Sequence, residues 1–139
     1  MNISSLFAVA LAAGVAATAA AAQEENDIGR QEYMVACAGC HGESAKGDGP
    51  LADLLNIHTP DLTRLAERQN GTFPYEYTVW MIDGRKIIRA HGASMPIWGD
   101  RYMASADTAE AASEPPEAME LVVRGRILAL VDYLSSIQE

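Results

Sequence analysis

Cys37 and Cys40 are separated by two residues, and His41 follows the second cysteine directly. They are the only cysteines in a chain of 139 residues. Any fold this chain adopts has to suit what these three side chains hold. A disulfide or thioredoxin-like pair needs only the C-x-x-C spacing and prefers a βαβ setting, which the pattern of this chain does not provide. A structural zinc site needs four ligands, and neither a second cysteine pair nor an H-x₃₋₅-H run is present. Covalent haem attachment uses all five positions, Cys37-Ala38-Gly39-Cys40-His41: the thiols add across the haem vinyl groups and the adjacent imidazole is held under the iron. A helical backbone here puts residues 37, 40 and 41 on one face. The residues favour the haem reading.

The first 22 residues differ from the rest. Ile3 to Ala22 carries no charge and is dominated by alanine. It ends in Ala20-Ala21-Ala22, followed at once by Gln23-Glu24-Glu25-Asn26-Asp27. An apolar stretch ending in small residues before a polar start has the form of a secretory signal peptide, with cleavage expected near Ala22. Only the α-amino group supplies its positive end. The competing reading is an uncleaved membrane anchor, since the stretch is about long enough to span a bilayer. Alanine, however, drives insertion poorly beside leucine or phenylalanine. The expected organisation is therefore a signal peptide over 1–22 and one domain over 23–139, exported to the periplasm.

All 19 acidic and all 10 basic residues lie in 23–139, so the exported part keeps the net charge of −9. Nucleic-acid binding through phosphate contacts needs clustered cations and is excluded. Anionic lipid is repelled as well. An acidic surface suits docking to a basic patch on a partner protein.

Residues 24–36 read as a helix that runs straight into the cysteines. Residues 42–60 read as loop, broken by Gly42, Gly47, Gly49 and Pro50. Thr59-Pro60 reads as a cap and first-turn proline for a short helix over 61–69. Pro74 opens another helix, with Tyr77, Trp80 and Met81 at spacings of three and four, and Gly84 closes it. Residues 85–100 read as loop and 101–114 as a mobile, acidic surface excursion. Pro115-Pro116 starts the last helix, on which Val123, Ile127, Leu130, Val131, Leu134 and Ile137 form one apolar stripe. No segment alternates convincingly with period two. A domain of this size has a modest core, which a large flat apolar cofactor would fill.

Four features in this order resemble the class I cytochrome c family, and in particular small periplasmic monohaem cytochromes of proteobacteria. They are the motif Cys37–Gly42, the loop Gly47-Asp48-Gly49-Pro50, the run Ser94-Met95-Pro96-Ile97-Trp98-Gly99, and the closing helix Ile127 to Leu134. The resemblance spans nearly all of 23–139. It implies an all-α cytochrome c fold of about four to five helices wrapped around one covalent haem c. It also implies thioether bonds at Cys37 and Cys40 and axial iron ligands His41 and Met95. A neutral imidazole and a soft thioether suit low-spin iron and raise its potential.

Other candidates for the second axial position are Met34, Met81, Met103, Met119, His58 and His91. Met95 stands out by its glycine-bracketed loop and following proline, with His91 as runner-up. Ligating histidines need an acceptor for the second ring nitrogen. In the family a proline carbonyl provides it; Pro50 and Pro60 are both available, and Pro50 is favoured. Gly29 with Tyr33 resembles the family's contact between first and last helices, with Leu130 and Tyr133 as partners. Trp98, Trp80, Arg85 and Tyr75 are candidates for the haem propionates.

The expected function is a soluble, monomeric one-electron carrier between redox partners, not an enzyme, touching membranes only through membrane-bound partners. The alternative is a haem c relay subunit of a specific dehydrogenase or oxidase complex. A ligand-binding or peroxidatic haem protein is a more distant reading, because it needs an open iron site.

Overall fold

The computed structural model describes residues 27–56, 58–85, 95–106 and 115–139. The expected signal peptide, His91 and the stretch 107–114 lie outside these residues. Among the described residues there are five α-helices and no strand. Residues 27–36 form α1. Then come α2 (Ala38–His41), α3 (Tyr75–Asp83), α4 (Trp98–Ala106) and α5 (Pro116–Ser136), with 3-10 turns at Ala52–Leu54 and Glu67–Gln69. Among the described residues, no helix is long and apolar enough to cross a membrane.

The last helix organises the rest. Pro116 occupies its first turn, where a missing N–H costs nothing. Five members of the expected stripe, Val123, Ile127, Leu130, Val131 and Leu134, are buried, and Ile137 packs at the margin. Each such burial is worth ~1.5–3 kcal/mol relative to exposure, so this face holds α3 and α4 against α5. The first helix crosses α5 at Gly29. A Cβ on Gly29 would lie 2.0 Å from the Ala129 carbonyl oxygen and 2.8 Å from Tyr133 Cβ, so only glycine permits this approach. Tyr33, fully buried one turn later, sets its ring 5.4 Å from that of Tyr133. The expected contact between first and last helices is thus present, with Ala129 and Tyr133 meeting Gly29.

Two expected elements differ. Residues 98–106 are helical as α4, although 101–114 reads as a surface excursion and 85–100 as loop. Trp98, Tyr102 and Ser105 share one face of that helix. Tyr102 is buried and packs on Trp98 at 5.8 Å. Arg126 of α5 lies 4.1 Å over the Tyr102 ring and donates to Ser105 Oγ at 2.8 Å. Packing against α5 therefore stabilises a helix whose polar, small-residue composition does not announce it.

The expected helix over 61–69 is instead a run of turns ending in the 3-10 turn. Asp61 Oδ1 accepts from both the backbone N–H and the hydroxyl of Thr63. The Gln138 side chain accepts from the Ala66 N–H and donates to the Leu62 carbonyl, while the Glu139 N–H donates to the Thr63 carbonyl. Backbone groups that a helix would pair internally are thus taken by Asp61 and by the C-terminus.

Candidate functional site

The helix α1 delivers the motif. The Cys37 N–H donates to the Tyr33 carbonyl at 2.8 Å, the His41 N–H to the Cys37 carbonyl at 2.9 Å, and the Gly42 N–H to the Ala38 carbonyl at 2.9 Å. Helical bonding therefore carries through the break at Cys37, and the three motif side chains come to one side. The Tyr33 hydroxyl donates to the Gly42 carbonyl at 2.6 Å and ties off the end. No disulfide joins Cys37 and Cys40. Burial pushes the Cys37 thiol up to about 12, with the neighbouring Cys40 and Glu32 adding to the rise. Among the described residues, no group of three or more His, Cys, Asp and Glu side chains is placed to hold a metal ion, so no zinc-type cluster forms.

Two cavities, of about 340 and 320 Å³, flank the motif. Both are lined by Cys37, His41, Pro60 and Met95. The first continues along Leu62, Leu65, Met81, Ile82 and Leu134. The second takes in Cys40, Leu51, Leu55, Thr59 and Trp98. The pair forms an apolar slot with an imidazole and a thioether among its shared walls and two thiols at its edge.

His41 Nδ1 lies 3.2 Å from the Pro60 carbonyl oxygen. The expectation favoured Pro50, and the structure corrects it. Pro50 is exposed. Its neighbours Gly49 and Leu51 donate backbone N–H bonds to the Cys40 and Gly39 carbonyls, which holds that loop along the backbone of α2. Gly47, at φ 84°, lets the chain run so close to Thr59 that a Cβ would lie 2.3 Å from the Thr59 carbonyl oxygen. That contact brings residues 59 and 60 to the imidazole.

Of the candidates for the position opposite His41 that lie among the described residues, Met81 lines the first cavity, His58 the second, and Met95 both. Met34 and Met103 pack against the hydrophobic core, and Met119 lies in the first turns of α5.

The propionate candidates separate. Arg85 is engaged by Asp83 and Glu120, and the Tyr75 hydroxyl donates to Asp132 at 2.7 Å. Trp80 is half-exposed on α3 and lines neither cavity, whereas Trp98 lines the second. The sequence reading missed Thr59, Arg68 and Arg101. Arg68 lines the first cavity, and Arg101, its guanidinium 5.2 Å over the Trp98 ring, lines the second. No local pattern singles out a cation in a turn or on a polar helix face.

The slot fits a haem on its own evidence: paired thiols, an oriented imidazole, a thioether and apolar walls. Thr59 Oγ1 is also buried without a hydrogen-bond partner among the described residues. A hydroxyl in that state has bonding capacity to offer a polar edge of whatever fills the slot.

A family model described as Cytochrome c matches residues 27–138. No curated protein and no solved structure matches the chain.

Proposed function

This chain belongs to the cytochrome c family, a family of haem-containing electron carriers, and we propose that it is an exported, monohaem one-electron carrier of the periplasm. Its haem is held by thioether bonds from Cys37 and Cys40, with His41 and Met95 as axial ligands. The observation that carries this reading is that His41 and Met95 both line the two cavities beside the cysteine pair.

The bound haem supplies a one-electron change at iron. The protein supplies the rest. The Pro60 carbonyl accepts the Nδ1 proton of His41 and orients the ring. Apolar walls from Leu62, Ile82 and Leu134 keep water from the slot. Ligands retained in both oxidation states keep reorganisation small. The acidic surface, part of a net charge of −9, steers the protein as a monomer onto basic patches of redox partners, including membrane-bound ones. The leader over 1–22 directs export.

Optical spectra of the oxidised holoprotein test the ligand set. The long-wavelength methionine–iron band is expected to vanish in Met95→Ala and persist in Met81→Ala. Its retention in Met95→Ala overturns the assignment. Intact-mass measurement of the mature protein tests the leader, which is expected to be cut after Ala22.

A further inference from the structure

The chain that presents Met95 leaves α3 at Gly84 and rejoins the described structure at Met95, three residues before α4. Its two ends meet. A Cβ on Gly84 would lie 3.2 Å from Ile97 Cγ2. A Cβ on Gly99 would lie 2.3 Å from Asp83 Oδ1 and 2.4 Å from Arg85 Nε. Gly99, in the first turn of α4, is thus seated directly against the Asp83–Arg85 pair.

That pair is part of a larger clamp. Arg85 Nε and Nη2 donate to the two carboxylate oxygens of Asp83 at 2.6 and 2.9 Å. Nη1 and Nη2 donate to the two oxygens of Glu120 at 2.6 and 3.1 Å. The Arg85 side chain is only 20% exposed, so these bonds are partly shielded from water. One planar guanidinium therefore joins the end of α3, the start of α5 and the start of α4. A fork of this kind fixes geometry as well as charge.

We propose that Arg85 is a positioning residue for Met95: by bridging Asp83 and Glu120 against Gly99, it pins both ends of the segment that carries the sulfur and sets how firmly that sulfur stays on the iron. The proposal rests on the reading of Met95 as axial ligand. Holding Gly84 against Ile97 and Gly99 against Arg85 restricts where Met95, two residues before Ile97, places its sulfur. Releasing the clamp enlarges the population in which the sulfur is off, and an added ligand binds that population.

The test is an imidazole titration of the oxidised holoprotein, followed by loss of the methionine–iron band. Arg85→Gln is expected to bind imidazole roughly fivefold to tenfold more tightly than the wild type, because apparent affinity scales with the competent fraction. Arg85→Lys, which keeps the charge and loses the fork, should fall between. Glu120→Gln should move the same way, and it decides the matter if Arg85→Gln yields no holoprotein. Arg124→Gln, which removes the exposed second partner of Glu120, should leave the affinity unchanged. Wild-type affinity in Arg85→Gln and Glu120→Gln, with only a lower unfolding midpoint, overturns the proposal. So does a shift in Arg124→Gln as large as that in Glu120→Gln. A band that survives Met95→Ala overturns the ligand reading, and this proposal with it. A band lost in Met95→Ala beside unchanged imidazole affinity in the clamp variants overturns this proposal alone.

Discussion

His41 Nδ1 and the Pro60 carbonyl oxygen lie 3.2 Å apart, across nineteen positions of chain. A carbonyl oxygen only accepts, so the nitrogen facing it carries the proton and the lone pair falls on Nε2. The bond also makes the imidazole a stronger donor. Pro60→Ala keeps the carbonyl but frees the backbone torsion that aims it. A looser bond weakens the donor, and the reduction potential of the holoprotein is expected to rise. A redox titration checks this; an unchanged or lower potential counts against the role given to Pro60.

Gly29 and Gly125 should respond oppositely to the same substitution. Gly29→Ala drives a methyl group into the Ala129 carbonyl oxygen, 2.0 Å from the ideal Cβ position. Overpacking of this kind costs roughly 1–3 kcal/mol. Gly125 is exposed within α5, and a Cβ there meets nothing within 4 Å. Gly125→Ala should stabilise by ~0.5–1 kcal/mol through helix propensity and reduced unfolded-state entropy. Denaturant unfolding of the two holoprotein variants gives both signs in one experiment.

The clamp around Arg85 also predicts how stability depends on pH. Hydrogen bonds from Arg85 and then Arg124 hold the Glu120 carboxyl at about 2, below its ordinary 4.5. Arg85 likewise lowers Asp83. A depressed carboxylate stabilises the fold fully above the unfolded value and loses that effect as pH falls through the folded one. The stability gap between the wild type and Glu120→Gln should therefore be widest above about pH 5 and narrow towards pH 2, given ordinary carboxylate values near 4.3. Thermal melts across that range check it, and a gap that stays constant down to pH 2.5 contradicts the assignment.

Arg126 joins three helices with one group. Its Nε and Nη2 donate to the Glu32 carboxylate at 2.7 and 3.0 Å, its Nη1 donates to Ser105 Oγ, and its guanidinium covers the Tyr102 ring. A lysine ammonium cannot reproduce the fork or the stacking. Arg126→Lys is expected to cost about 1–2 kcal/mol despite the conserved charge. Retention of wild-type stability in that variant would show that charge alone suffices.

Much of the site was legible in the sequence because its signals are local. The five residues Cys37 to His41 specify their chemistry by spacing alone. The stripe from Val123 to Leu134 specifies a buried helix face by its period, Pro115-Pro116 marks where that helix starts, and Gly84 marks where α3 stops. These depend on torsions and neighbours within a few residues, which a linear pattern records. Tertiary structure decided the rest. Pro60, not Pro50, faces His41, because backbone bonds to Gly39 and Cys40 hold the nearer proline along α2. Residues 98–106 are helical because Tyr102 is buried and Arg126 of α5 covers its ring. Residues 61–69 are not a regular helix because the C-terminal residues take their backbone groups. Arg85 lines neither cavity, because Glu120, thirty-five residues on, joins its neighbour Asp83 in holding the guanidinium. In each case the deciding partner lies far along the chain, and which of several equivalent carbonyls or carboxylates is nearest is a property of packing alone.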